Sequence, residues 1–178
     1  MLHWRLQKAY STKHTYYFGM AKNYLNLKIR NMKHSDIPAI VHIISTDLSP
    51  IDGKKAHKDL TDQSRKLYDD GQVFVAECEG KLLGLIGYWR MHYHPRTVCW
   101  MDWFGVEKNH KRMGIGSALL LHMLPVLAKK RYRMLCCEKS SKDIAAKLFY
   151  ERYGFKEAGR IKKYWEDGGD WVVLVKKI

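Results

Sequence analysis

The sequence KRMGIGS, at residues 111–117, lies between a predicted strand and a predicted helix and decides how the rest of the chain is interpreted. Consecutive backbone N–H groups in such a turn point the same way and can bind an anion. The N-terminus of the following helix adds its dipole and its free N–H donors. Two glycines permit close approach because they lack a Cβ. The turn predicts a diphosphate site formed by Lys111, Arg112, Met113, Gly114, Ile115, Gly116 and Ser117.

Two other phosphate-binding motifs do not fit this turn. A Walker loop requires Gly-Lys-Ser/Thr after four intervening residues, and that pattern is absent. The dinucleotide fingerprint requires a third glycine or alanine at position 119, where the chain has Leu119, and no suitable acid follows about 20 residues later. For the glycines alone, a strand-to-helix turn with no ligand remains the alternative.

The pattern around this turn predicts alternating helices and strands in the order β-α-α-β-β-β-α-β-α-β-β. Antiparallel hairpins combined with a crossover favour an α/β (α+β) fold, with a mixed, mostly antiparallel central sheet flanked by helices on both faces. Pro125 is expected to kink or loosen the third helix. The predicted elements are Leu27–Asn31, a helix starting at Ser35 or Asp36, Lys54–Tyr68, Val73–Cys78, Lys81–Arg90, Thr97–Val106, Gly114–Lys130, Tyr132–Glu138, Lys142–Tyr153, Phe155–Tyr164 and Trp171–Lys176.

Charge is distributed unevenly along the 178 residues, whose net charge is +14. Residues 1–26 are aromatic and basic and lie outside the regular pattern, so they are expected to form an N-terminal extension to a domain spanning residues 27–178. A basic chain can bind nucleic acid, an acidic membrane surface or a polyanionic cofactor. Residues 36–80, in contrast, contain more acids than bases.

Hydropathy and cysteine usage restrict the class of protein. No apolar run approaches the ~20 residues that a membrane span needs, and basic residues interrupt any signal-peptide segment. We therefore expect a cytoplasmic protein with no membrane partner. Four cysteines match neither a zinc pattern nor a redox motif, so they are interpreted as reduced core thiols and no metal site is expected.

A second segment, DIAAKLFYERYGF at residues 143–155, follows the glycine turn and helps to interpret it. Together the two segments resemble the GNAT superfamily of acyl-CoA-dependent N-acetyltransferases. The first hallmark of that family is Arg/Gln-x-x-Gly-x-Gly/Ala, which residues 111–116 match with Lys in the first place. The second is Asn-x-x-Ala-x-x-Leu-Tyr followed by Gly-Phe. It is matched, with Asp replacing Asn, by Asp143, Ala146, Phe149, Tyr150, Gly154 and Phe155.

The resemblance implies an enzyme that transfers an acetyl group from acetyl-CoA, its co-substrate, to a primary amine by direct attack. It places Asp143, Ala146 and Tyr150 along the cofactor, and these residues share one helical stripe. Tyr150 is implied as the acid that protonates the leaving thiolate, a role that suits a phenol; a half-buried packing tyrosine is the alternative. The strand before the glycine turn is implied to pair its backbone with the pantetheine arm at Phe104, Gly105 and Val106.

Asp102 is the candidate base. It lies two and four residues before Phe104 and Val106, so strict alternation places all three on one face of the strand. Burying a carboxylate on an apolar strand costs free energy, so its presence indicates a function. Here it could receive the proton of the acceptor ammonium. A structural, hydrogen-bonded aspartate is the alternative, and His92 and His94 are further candidates for the base.

The acceptor is less constrained by the sequence. The family uses its first two helices to wall the acceptor site, and here that region carries Asp47, Asp52, Asp59, Asp62, Asp69 and Asp70. An acidic wall would favour a cationic acceptor, either a small molecule such as a polyamine or aminoglycoside or a protein amine. The alternative is that these aspartates form an ordinary solvated helix face.

A different class of function remains open: a non-catalytic module that binds nucleic acid or a protein partner through its basic N-terminal arm. A homodimer is a further expectation.

Overall fold

A computed structural model of the chain describes residues 26–64 and 70–178. The expected extension at residues 1–26 and the predicted end of the second helix at Tyr68 therefore fall outside the described residues, residue 26 excepted. The helices are α1 (Ile37–Asp47), α2 (Pro50–Ser64), α3 (Ile115–Lys129) and α4 (Ile144–Arg152). The strands are β1 (Lys28–Asn31), β2 (Asp70–Cys78), β3 (Lys81–Arg90), β4 (Val98–Val106), β5 (Met134–Ser140), β6 (Lys156–Ile161) and β7 (Trp171–Lys177).

The seven strands form one sheet in the order β1-β2-β3-β4-β5-β7-β6. Every neighbouring pair is antiparallel except β4 and β5, which run parallel. The parallel pair follows from the crossover through α3, because a return to the same strand direction needs a long connection. The predicted order of elements and the mixed, mostly antiparallel sheet are confirmed.

Helices cover both faces of this sheet. On one side, here called the α1–α2 face, Ile40, Ile44 and Leu60 pack against Val75 and Leu85. On the opposite side, called the α3–α4 face, the apolar stripe of α3 and the aromatic residues of α4 form the larger core, which includes Leu119, Leu120, Met123, Tyr150, Tyr153 and Phe155. The helices on both faces agree with the sequence prediction.

The ends of several elements differ from those predicted. Helix α2 begins at Pro50 instead of Lys54, because the Ser49 hydroxyl accepts a hydrogen bond from the Asp52 N–H (3.1 Å) and Pro50 takes the first helical position. Helix α3 continues through Pro125 to Lys129. Strand β2 starts at Asp70, three residues before the predicted Val73, and β6 ends at Ile161 instead of Tyr164.

Candidate active site

Strands β4 and β5 separate partway along their length. Their pairing runs through Val98–Met134, Cys99–Leu135 and Trp100–Cys136 and ends there. Residues 101–106 of β4 and 137–140 of β5 continue beyond the last pair. We call this gap the fork. Backbone groups that face it are not used by a neighbouring strand, so an extended ligand could pair with them as an added strand would.

The Tyr150 hydroxyl lies at the closed end of the fork. It contacts the Met101 sulfur at 3.4 Å and also interacts with the thiol of Cys137. Met101 and Cys137 are the first residues of β4 and β5 beyond the last pair. The sequence motif therefore places a hydroxyl at the point where the two strands part.

Packing fixes the position of the Tyr150 ring. The ring centroid lies 5.1 Å from that of Phe155, 5.6 Å from that of Phe149 and 6.4 Å from that of Phe104. Only 7% of the residue is exposed. Burial, helped by the nearby Cys137 and Asp143, raises the pKa of the Tyr150 phenol well above its ordinary value. The group therefore remains a proton donor at neutral pH.

The glycine turn begins a helix whose first N–H groups are available. Arg112 (φ 64°) and Gly114 (φ 88°) both adopt left-handed backbone conformations, which turn the intervening peptides. The first intrahelical bond of α3 runs from the Ala118 N–H to the Gly114 carbonyl (2.9 Å). The N–H groups of residues 115–117 precede it, as helix geometry requires. This donor set fits a diphosphate, and Met113 is exposed beside it.

Gly116 has a packing role in addition to the one that its position in the motif suggested. A Cβ built on it would lie 3.2 Å from Cζ of Phe104 and 3.6 Å from a methyl carbon of Val106. Gly116 therefore lets α3 approach β4 closely. Gly84 on β3 has a similar function, because its Cβ would lie 3.2 Å from a methyl carbon of Leu119 and 3.3 Å from one of Ile115, both on α3. Both glycines bring the helix N-terminus to the edge of the fork.

Lys111 forms an ion pair with Asp47, the last residue of α1. The lysine side chain is 46% exposed, whereas that of Asp47 is only 10% exposed. Asp47 also lies near the fork, with Oδ2 3.5 Å from where a Cβ on Gly105 would lie. The positive charge predicted for the diphosphate site is thus shared with an acid from the opposite face of the sheet.

Asp143 caps α4. Its Oδ1 accepts a hydrogen bond from the Ala146 N–H at 2.8 Å, and the residue is exposed. Asparagine caps a helix equally well, so nothing in the structure explains why aspartate stands in place of the family asparagine. Ala146 packs against the core of the α3–α4 face. Ala146 and Tyr150 pack in the same core and Asp143 lies at the N-terminal end of their helix, while the contact of these three residues with a cofactor stays a prediction.

The expectation that Asp102 shares a face with Phe104 and Val106 is wrong. Tyr88 pairs with Met101 but Ile86 pairs with Phe104, so β4 has one extra residue opposite Gly87. This bulge reverses the alternation. The Asp102 side chain lies over Gly87 on the α1–α2 face, where a Cβ on that glycine would be 3.3 Å from the carboxylate Oδ2. Asp102 remains beside the fork, on the face opposite Tyr150.

Two residues of the fork were not identified from the sequence as site residues. Glu138, two residues beyond the last pair on β5, accepts a hydrogen bond from Nε1 of Trp171 at 2.8 Å. By alternation with the core residue Cys137, it lies on the same face as Asp102. Lys139 is 9% exposed, and burial lowers the pKa of its ammonium. The available signal for Glu138 was that it is the only acid in residues 111–139.

Other candidates lie away from the fork. His92 and His94 occupy the β3–β4 turn, at the end of β4 where pairing with β5 is intact. The His94 ring packs 5.3 Å from that of Trp89.

The aspartates that were expected to form an acidic wall at the acceptor site bind different partners in separate places. Asp52 bonds to Ser49, while Asp59 accepts from the indole of Trp103 (3.2 Å). Asp70 binds Tyr132 and Lys130 elsewhere, and the side chains of Asp62 and Asp69 fall outside the described set.

In the part of the chain that the structure describes, no helix has the length and apolar character needed to cross a membrane.

Three features together define an acyltransferase of the N-acetyltransferase class: the forked sheet, the helix N-terminus at its edge and the buried tyrosine at its closed end. Comparison with known proteins agrees. The chain matches the acetyltransferase (GNAT) domain over residues 69–157, and it belongs to this family.

Individual relatives support the same family, and a solved structure shows the same fold. The chain is 31% identical over 127 residues to the 5-NmdU N-acetyltransferase of Pseudomonas phage PaMx11, covering 69% of this chain and 84% of that protein. It is 32% identical over 72 residues to the [ribosomal protein bS18]-alanine N-acetyltransferase of Escherichia coli K12, covering 39% of this chain and 49% of that protein. A GNAT-family acetyltransferase structure from Desulfovibrio desulfuricans superposes with a TM-score of 0.76 at 18% identity, covering 85% of this chain and 98% of that one.

Proposed function

We propose that this enzyme transfers an acetyl group from acetyl-CoA to a primary amine by direct attack. The observation that carries the proposal is the Tyr150 hydroxyl between Met101 and Cys137, at the point where β4 and β5 part. The glycine turn lies at the open part of the same fork. A ligand with a diphosphate at one end and a thioester at the other would match both features.

The residues present fit acetyl-CoA. The N–H groups of residues 115–117 and the charge of Lys111 and Arg112 would hold the diphosphate. The free backbone of residues 104–106 would pair with the pantetheine arm. When bound, acetyl-CoA supplies the activated acetyl thioester. The protein then contributes by holding the amine against it, which accounts for much of the acceleration in such reactions.

Proton transfer is assigned to groups on the two faces of the sheet. On the α3–α4 face, Tyr150 would give its proton to the departing sulfur, because its raised pKa keeps it protonated. On the α1–α2 face, Asp102 would take the proton from the acceptor ammonium, directly or through water, and Glu138 is a second carboxylate beside the fork. The neutral amine would then form the nitrogen–carbon bond as the carbon–sulfur bond breaks, the nitrogen would release its second proton to solvent, and Tyr150 would regain a proton from solvent. The backbone N–H near Val106 would polarise the carbonyl.

The acceptor that we propose is a primary amine with a positive charge, either on a small cation such as a polyamine or on a macromolecule such as a protein. Asp102 and Glu138 support a cationic acceptor. The relatives named above act on different amines, 5-NmdU in one case and an alanine of ribosomal protein bS18 in the other. They support an amine as acceptor but leave several classes to be tested.

A panel of primary amines tests the proposal. The purified protein is incubated with acetyl-CoA and each amine, and released CoA thiol is measured beside product mass. We expect acetyl-CoA to stabilise the protein thermally and at least one amine to give thiol release with stoichiometric acetylation. Asp102→Asn and Glu138→Gln, assayed in parallel, identify the base, because the larger fall in kcat marks the residue that takes the proton. Stabilisation without turnover of any amine would contradict the enzymatic proposal.

A further inference from the structure

An ion pair joins the glycine turn to the opposite face of the sheet. Lys111, the first residue of that turn, places its ammonium on Oδ1 of Asp47 at the end of α1. The other carboxylate oxygen, Oδ2, lies 3.5 Å from where a Cβ on Gly105 would be, so Asp47 stands over β4 beside the fork. The aspartate side chain is mostly buried and the lysine side chain is half exposed. The lysine is therefore the partner that can leave.

Two anions compete for Lys111. One is Asp47, and the other is the diphosphate that the glycine turn would hold in the proposed function. Asp47 is only 10% exposed, and a largely buried carboxylate is destabilised when its cation leaves and no other cation replaces it. A second cation that enters beside the fork would restore the pairing. The cofactor and a cationic acceptor should therefore favour each other's binding.

The group that Asp47 binds in the free protein is a primary alkylammonium. Lys111 supplies it at the end of a flexible aliphatic chain. A primary amine acceptor is the same chemical group once it is protonated, so the structure shows a place for such a group beside the fork. Leu48, which directly follows Asp47, is 53% exposed, and Ile51 in the first turn of α2 is 67% exposed. These side chains offer apolar surface to an aliphatic chain.

A second carboxylate lies on the same face of the sheet at a distance that suits a diamine. Asp102 lies over Gly87, whereas Asp47 lies over Gly105. Gly105 pairs with Leu85, which is two residues before Gly87 on β3. With about 3.4 Å per residue along a strand and about 4.8 Å between strands, the two places are about 8 Å apart. A chain of about five methylene groups between two nitrogens spans that distance.

We propose that the acceptor is an aliphatic diamine, which places its reacting nitrogen near Asp102 and its second ammonium on Asp47, and that Lys111 fills this second place until it binds the diphosphate. This rests on the proposed function and names the acceptor of the same site. Lys111 acts as a switch that makes Asp47 available only when the cofactor site is filled. An acetamide carries no charge, so the product should be a poor substrate for a second transfer.

Calorimetry on the full-length protein tests the coupling without turnover. Cadaverine, a diamine with five methylene groups, is titrated into the free protein and into the protein saturated with CoA, which has the diphosphate but no acetyl group. Pentylamine, which lacks the second ammonium, is the matched ligand. We expect CoA to tighten cadaverine binding by about fivefold, the value of a half-exposed ion pair, and to leave pentylamine binding unchanged. Cadaverine should tighten CoA binding by the same factor.

Two substitutions should have opposite effects on cadaverine binding. Asp47→Asn removes the second place, so CoA should no longer change the affinity for cadaverine. Lys111→Gln removes the competing ammonium, so the free variant should bind cadaverine about fivefold more tightly than the free wild type, although it binds CoA less well. Asp52→Asn is the matched control, because it makes the same change of charge in α2 and keeps an oxygen for the Ser49 hydroxyl. It should behave as the wild type.

Turnover with acetyl-CoA, followed by thiol release and product mass, completes the test. We expect kcat/KM for cadaverine to exceed that for pentylamine by about fivefold in the wild type and to equal it in Asp47→Asn, with one acetyl group on the product. Equal values in the wild type, or a cadaverine affinity that CoA leaves unchanged, overturn the inference while turnover of any amine keeps the enzyme. A preference that survives Asp47→Asn also overturns it and assigns the second charge to another acid, such as Glu138. Failure of every amine with acetyl-CoA bound rejects the proposed function itself.

Discussion

Replacing Tyr150 with phenylalanine removes one oxygen from the closed end of the fork and leaves the ring in place. The ring keeps its contacts with Phe104, Phe149 and Phe155, and the contact with Phe104 packs α4 on strand β4. The lost contacts are to sulfur atoms of Met101 and Cys137, and sulfur is a weak hydrogen-bond partner. We therefore expect the free energy of unfolding to change by about 1 kcal/mol or less.

The effect on turnover should be much larger. Loss of a general acid typically reduces the rate by about 10² to 10⁴, which corresponds to about 2.7–5.5 kcal/mol in the barrier. Acetyl-CoA affinity should stay nearly constant, because the diphosphate and pantetheine contacts lie elsewhere. Since burial raises the pKa of Tyr150 well above its ordinary value, the wild-type enzyme should show no loss of activity from ionisation of this phenol at moderately alkaline pH.

The assay compares kcat, acetyl-CoA affinity by calorimetry and melting temperature for Tyr150→Phe. Tyr153→Phe is the matched control, because it makes the same chemical change three residues further along the chain and its ring packs 4.9 Å from Phe149. The control should retain wild-type kcat. A Tyr150→Phe enzyme within twofold of wild type would remove this residue from the acid role. A large fall in affinity or melting temperature would assign it to packing.

Three further changes test other parts of the site and fold. Asp47→Asn should release Lys111 for the diphosphate and tighten acetyl-CoA binding by up to about fivefold, since such a pair is worth about 1 kcal/mol at most; weaker binding in calorimetry would contradict this. Gly116→Ala should cost about 1–3 kcal/mol of stability by overpacking and weaken acetyl-CoA binding, as denaturant melts and calorimetry can show. Tyr132→Phe removes a 2.6 Å hydrogen bond to Asp70. Burial raises the pKa of Asp70, but the hydrogen bonds from Lys130 and Tyr132 outweigh burial, so the pKa is lowered overall. Ionised Asp70 stabilises the fold at pH values above its pKa in the unfolded chain, and this stabilisation is lost as pH falls and the carboxylate is protonated. The variant should therefore lose about 1.5–3 kcal/mol of unfolding free energy at pH 7, and this loss should shrink below about pH 4. A pH-independent deficit would contradict the assignment.

The sequence predicted the order of elements because each depends on a local pattern. The two residues between the predicted strands 73–78 and 81–90 indicated the β2–β3 hairpin, and the helix predicted between the strands 97–106 and 132–138 indicated the crossover. Ends of elements were less predictable where capping decides them. Ser49 and Asp52 start α2 four residues early through a side-chain bond, and nothing in hydrophobic periodicity reports such a bond.

The face on which Asp102 lies could not be predicted, because it depends on a bulge. Alternation holds only while each residue of β4 faces one residue of β3, and the extra residue opposite Gly87 breaks that correspondence. Gly87 has no Cβ and thereby leaves room for the Asp102 carboxylate. The two features occur on different strands, so neither strand alone shows the effect.

That bulge bears directly on the chemistry. Asp102 follows Met101, whose sulfur contacts the Tyr150 hydroxyl, so alternation places Asp102 on the face opposite Tyr150, and the bulge returns Phe104 to the face of Tyr150. The tyrosine therefore lies on the α3–α4 face and the aspartate on the α1–α2 face, where Glu138 also points. A proton donor on one side and carboxylates on the other allow an amine to enter opposite the departing sulfur. In the proposed mechanism the fork separates the two proton transfers in space, so the pH profiles of Asp102→Asn and Glu138→Gln should differ from that of Tyr150→Phe.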